Sequence, residues 1–64
     1  RLERLTERER EVLMALVEGM PNKGVAQALG ISPRTVEVHR ARLMEKLGVS
    51  SIAEAVRIAL AAAG

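Results

Sequence analysis

The chain has 64 residues, with no cysteine, one histidine, and no Phe, Tyr or Trp. That excludes disulfides, thiolate metal sites, a metal centre built on histidines and any aromatic core, and it leaves one small domain near the lower size limit for independent folding. Formal net charge is only +2, but residues 21–46 hold five basic and two acidic side chains whereas residues 1–20 hold four and five, so the positive excess sits in the middle third.

Hydrophobic residues make up 48% of the chain, which fits a folded domain rather than a tail. No apolar run is long enough to span a bilayer and no signal peptide is visible, so no membrane partner is expected. The chain starts at Arg1 rather than Met and reads as a piece of a longer protein or a processed product, with residues 1–64 as a single domain.

The first helix is expected over about 6–19. "TERE" is a capping box, Thr6 accepting from the Glu9 N–H and Glu9 reaching back to Thr6. Val12, Leu13, Leu16, Val17 and Met20 recur at helical spacing, and Gly19 and Pro21 end the run. The three methionines read as core or rim filler. A second, short helix is expected over 22–29, capped by Asn22 or the residue before it, with Val25, Ala26 and Leu29 inward. Gly24 is an oddity there, since a mid-helix glycine costs about 1 kcal/mol relative to alanine. The third helix is expected over 33–47, with Ser32 as cap, Pro33 at the first helical position, and Gly48 as stop. The fourth is expected over 51–63. "SIAE" gives a second capping box from Ser51 and Glu54, and Ile52, Ala55, Val56, Ala59 and Leu60 form its core stripe. No segment alternates like a half-buried strand. The fold class is all-α: a four-helix bundle with a helix-turn-helix at its centre.

That central motif rests on Ala26, Gly30 and Val36. A small residue lies where the second and third helices cross, glycine occupies the tight turn, and valine points back to lock the pair. Val36 and Val38 are then about 200° apart on the third helix and cannot both face the core. With Val36 inward, Leu43 and Leu47 fall beside it, and Glu37, Val38, Ala41 and Arg42 fall on the opposite half, near Arg34 and Glu45. An exposed β-branched residue among arginines, near a helix start, suits the DNA major groove. Val38 can pack on a thymine methyl, Arg42 can donate to guanine, Glu37 can accept from a cytosine amino group, and Ala41 permits close approach. Lys23, Arg34, Thr35 and Lys46 flank this surface and can hold phosphates. Arg40 lies near the core edge and reads equally as a phosphate contact or a solvated side chain. His39 reads as a packing residue with one hydrogen bond. A lone exposed valine or a basic helix face is usually just solvated; the turn triad and the local charge excess decide against that reading here.

The segments "LTERE", "PNK", "LGISPRTVEVH" and "KLGV" resemble the LuxR-type (GerE-type) DNA-binding domain, in the versions found at the C-terminus of NarL/FixJ-group two-component response regulators. The resemblance runs from Leu5 to Leu60. It implies a bacterial, cytoplasmic transcription regulator that binds double-stranded DNA as a homodimer on inverted or direct half-sites. It implies that the helix starting at Pro33 enters the major groove, with base-contacting positions on Glu37, Val38, Ala41 and Arg42 and phosphate-contacting positions on or near Lys23, Arg34, Thr35 and Lys46. It further implies an N-terminal receiver or sensor domain upstream, RNA polymerase as another partner, and the fourth helix as dimer interface. Glu54, Arg57, Ile58 and Ala61 lie off that helix's core stripe and are the interface candidates; Ile58, the apolar outlier, reads equally as a dimer contact or as partly buried in the monomer. Many members carry a larger, often acidic residue where Gly24 stands, and several carry lysine where Glu37 or Ala41 stands, so their base preferences do not transfer.

Two alternatives compete. The promoter-reading module of a sigma factor shares the first and central motifs but usually ends at its recognition helix. A protein-interaction module that has lost DNA binding is compatible with Glu37 and Glu45 on the exposed face. Catalysis is not expected: the sequence offers no nucleophile–base pair, no metal cluster and no phosphate-cradling loop, and no cofactor is called for.

Overall fold

The computed structural model describes residues 2–63. Among them a 3-10 turn, Leu2–Arg4, precedes four helices: α1 Glu7–Val17, α2 Asn22–Leu29, α3 Pro33–Leu47 and α4 Ile52–Ala63, with no strand. None of these helices is long and apolar enough to cross a membrane.

The boundaries follow local chemistry. Both halves of the Thr6–Glu9 capping box form: the Glu9 N–H donates to the Thr6 hydroxyl oxygen at 3.1 Å, and the Thr6 N–H donates to Glu9 Oε1 at 3.0 Å. α1 stops at Val17, two residues short of the expected end, because the Met20 N–H turns back to the Ala15 carbonyl at 3.2 Å and brings Met20 onto the core. At α2 the cap position is held by Pro21, which supplies no side-chain hydrogen bond, and Asn22 is the first helical residue. Gly30 closes α2 at φ 69°, ψ 34°, the left-handed region glycine enters without a Cβ penalty, and the Ile31 N–H closes the turn on the Ala26 carbonyl at 3.0 Å.

α3 is the central element. It packs most extensively against α1 and α2, and touches α4 and the 3-10 turn as well. Its Val36, Leu43 and Leu47 are buried with Leu5, Val12 and Leu13 from the α1 side, Val25 and Ala26 of α2, and Ala55 and Ala59 of α4. The core is therefore aliphatic apart from the buried Glu9 carboxylate, and the small residues Ala26, Ala55 and Ala59 are enclosed within it. Leu5, given no role in the sequence reading, is part of it.

α4 corrects the sequence reading in two places. Leu60 is not in the core stripe; it is 54% exposed. Ile58, for which a dimer contact and partial burial were equally open, takes the second: it is half-buried and packs against the core. The inward arc is centred on Ala55 and Ala59, and Ile58 lies about 60° from Ala55 on the helix whereas Leu60 lies about 140° from it. The second capping box is only half made. The Glu54 N–H donates to Ser51 Oγ at 3.3 Å, but the Glu54 carboxylate accepts from Ser50 Oγ, at 3.4 Å, rather than returning to Ser51. Met20 and Met44 pack on the core as expected, while Met14 stands 44% exposed.

Candidate nucleic-acid interface

The start of α3 is rigidly defined. Ser32 Oγ accepts from the Thr35 N–H at 3.1 Å and lies 2.9 Å from the Thr35 hydroxyl, and Pro33 fixes the first helical φ. Val36 is fully enclosed, and the residues on the opposite side of α3 face outward. Arg34, Glu37, Val38, Ala41, Arg42 and Glu45 are all exposed, Val38 at 43%. Neither Glu37 nor Arg42 is held by an ion pair or side-chain hydrogen bond among the described residues. Both heads are thus free to meet a ligand, and the apolar Val38 lies between them with the small Ala41.

The five flanking polar residues fall into three groups. Lys23 and Arg34 are exposed. Thr35 is half-buried and its hydroxyl is already joined to Ser32. Arg40 and Lys46 are tied inward. Arg40 Nη1 donates to Asn22 Oδ1 at 2.6 Å, joining α3 to the first turn of α2. Lys46 Nζ donates to Glu9 Oε1 at 2.8 Å, joining the last turn of α3 to the first turn of α1. Glu9 is 2% exposed. Burial pushes its carboxyl up, but the hydrogen bond from Lys46, the Thr6 amide, the Lys46 charge and the Thr6 hydroxyl together outweigh that and hold it below its usual range. The sequence reading gave Asn22 and Glu9 only capping roles and missed these two clamps. The pairs are 18 and 37 residues apart, and no local spacing announces them.

His39 is half-buried as expected, but its Nδ1 is buried with no hydrogen-bond partner, so the expected bond is absent at that nitrogen. Of the α4 candidates, Arg57 and Ala61 are exposed, Glu54 is half-buried at the helix start, and Ile58 is turned inward as described. The exposed stripe is instead Ala53, Arg57, Leu60 and Ala61, at helical offsets of zero, four, seven and eight.

Residues 3–59 match the family described as bacterial regulatory proteins, luxR family. Among similar proteins, the transcriptional regulatory protein FixJ of Rhizobium meliloti is 59% identical over 61 residues, covering 95% of this chain and 30% of that protein. The transcriptional regulatory protein UhpA of Escherichia coli is 58% identical over 53 residues, covering 83% and 27%. The tetrathionate response regulatory protein TtrR of Salmonella typhimurium is 47% identical over 55 residues, covering 86% and 27%. The chain thus spans under a third of the length of these relatives.

Proposed function

The chain belongs to the LuxR family of bacterial regulatory proteins, and on that premise we propose that it binds double-stranded DNA sequence-specifically, with the exposed face of α3 in the major groove, and so regulates transcription. Val38 packs on a thymine methyl, Arg42 donates to guanine, Glu37 accepts from a cytosine amino group, and Ala41 lets the helix approach. Lys23 and Arg34 hold phosphates, and the uncapped N–H groups at the start of α2 add further donors. Thr35 contributes its remaining hydroxyl capacity. Arg40 and Lys46 act chiefly by fixing α3 against α2 and α1.

The observation that carries this reading is the uncovered strip of Glu37, Val38, Ala41 and Arg42, two charged heads without partners around an apolar centre on a helix whose other side is fully packed. The sigma-factor alternative expects a chain that ends with its recognition helix. Here α4 follows, and its Ala55 and Ala59 complete the core. On DNA the protein is a homodimer, joined through the α4 stripe of Ala53, Arg57, Leu60 and Ala61. In the longer polypeptide it works in the bacterial cytoplasm under an upstream receiver or sensor domain, with RNA polymerase as a further partner.

Selection of bound duplexes from a random pool tests the reading. Enrichment of a paired half-site, with affinity that falls steeply between low and moderate salt, is the expected result. Salt-sensitive binding with no enriched sequence would leave only a non-specific binder, and no binding at all would leave a protein-interaction module.

A further inference from the structure

Three large apolar side chains stand exposed among the described residues: Met14, Val38 and Leu60. DNA and a second copy account for Val38 and Leu60. Met14 has no place in that reading. It lies in a groove of about 410 Å³ whose floor is Met14 and Ala15 of α1 with Leu29 of α2, and whose rim carries Glu7, Glu11 and Glu18. The one rim cation, Arg10, is drawn aside to the Leu2 carbonyl at 3.2 Å. Glu11 is paired with Arg8 at 3.2 Å, whereas Glu7 and Glu18, at the two ends, have no partner among the described residues.

Glu7, Glu11, Met14 and Glu18 follow helical offsets of zero, four, seven and eleven, one straight stripe opposite the buried Glu9, Val12 and Leu13. α3 packs on that buried side, so the groove looks away from the exposed face of α3. Its acidic rim repels phosphate, and the positive excess of the chain lies elsewhere, in residues 21–46. We propose that this groove is a docking surface for a basic amphipathic helix of a protein partner. Glu7 and Glu18 stand roughly 16 Å apart along α1, a distance that three turns of a docked helix span. Cations at its two ends meet the two free carboxylates, and its apolar face lies on Met14, Ala15 and Leu29. Methionine suits this task, because its unbranched, polarisable side chain adapts to different partners. The surface does not depend on the DNA reading, since the two faces are separate.

The test is a titration of the isotopically labelled 64-residue chain, followed by backbone amide shifts, with a 14-residue Leu/Lys peptide of amphipathic helical pattern. Controls are the same composition scrambled and a Leu/Glu counterpart. Shifts confined to residues 7–18 and Leu29, seen with the amphipathic basic peptide alone, are expected. Met14→Gln and Glu7→Gln/Glu18→Gln should each weaken that binding about tenfold while leaving the amide spectrum of α3, and any DNA binding, unchanged. Equal binding of the scrambled peptide, shifts spread over every exposed carboxylate, or binding of the acidic peptide would overturn the proposal. So would concentration-dependent shifts around Met14 without peptide, which would make a second copy the occupant.

Discussion

Lys46 Nζ lies 2.8 Å from Glu9 Oε1, and the same oxygen accepts the Thr6 N–H at 3.0 Å. One buried carboxylate therefore caps α1 and anchors the far end of α3. α3 is fixed at two points: near its middle by Arg40 on Asn22, and in its last turn by Lys46 on Glu9. The angle at which its exposed face is presented depends on these two polar clamps as well as on the apolar core.

Lys46→Met should lower the unfolding free energy by about 1–3 kcal/mol, because Glu9 is left buried and unpaired; partial exposure of the ammonium keeps the loss below that of a fully enclosed pair. Adding Glu9→Gln should recover part of it. DNA affinity should fall while its dependence on salt keeps the same slope, whereas Arg34→Ala should reduce the slope by about 1. Denaturant titration and binding at several salt concentrations check both. A slope change for Lys46→Met equal to that for Arg34→Ala would make Lys46 a phosphate contact.

The caps and the turn were legible in the sequence because their causes are local: Thr6 with Glu9, Ser32 with Pro33, and Gly30 between Ala26 and Val36. The inward side of α3 was legible because Val36, Leu43 and Leu47 leave one choice. The Glu9–Lys46 clamp was not, since the capping box already explained Glu9. The register of α4 was not either. Its apolar residues and alanines point in nearly every direction, so periodicity cannot tell Ile58 from Leu60. Packing decided it, by enclosing Ala55 and Ala59.

Acid should weaken the fold through Glu9. Its folded carboxyl titrates below the usual 4.5, so its contribution is fully present above that value and is lost as pH falls through the folded one. The stability difference between the native sequence and Glu9→Gln should be constant from pH 7 to about pH 5 and shrink below that. Urea unfolding of both proteins at neutral and acidic pH measures it. A difference that stays constant down to full carboxylate protonation would contradict the assignment.

Gly24→Ala should stabilise the protein by up to about 1 kcal/mol. Gly24 lies in the first turn of α2, and a Cβ there would meet Pro21 Cδ at 3.4 Å and Met20 Cβ at 3.7 Å, ordinary contact distances. Thermal unfolding reads the gain directly.

Ile58 and Leu60 should separate stability from association. Ile58→Ser should lower stability by roughly 1–3 kcal/mol because it uncovers core surface. Leu60→Ser should leave unfolding nearly unchanged and weaken pairing of two copies on a double half-site. Analytical ultracentrifugation with and without DNA, alongside denaturant titration, distinguishes the two.

The exposed strip of α3 is tested by one comparison. The native chain and Arg42→Ala are bound to a panel of duplexes in which each base pair of a selected site is changed in turn. The structure predicts that Arg42→Ala loses about 1–3 kcal/mol of discrimination at a single base pair, with unfolding unchanged. A uniform loss for Arg42→Ala would make Arg42 a phosphate contact, and a native chain that discriminates at no base pair of the panel would contradict base reading by this face of α3.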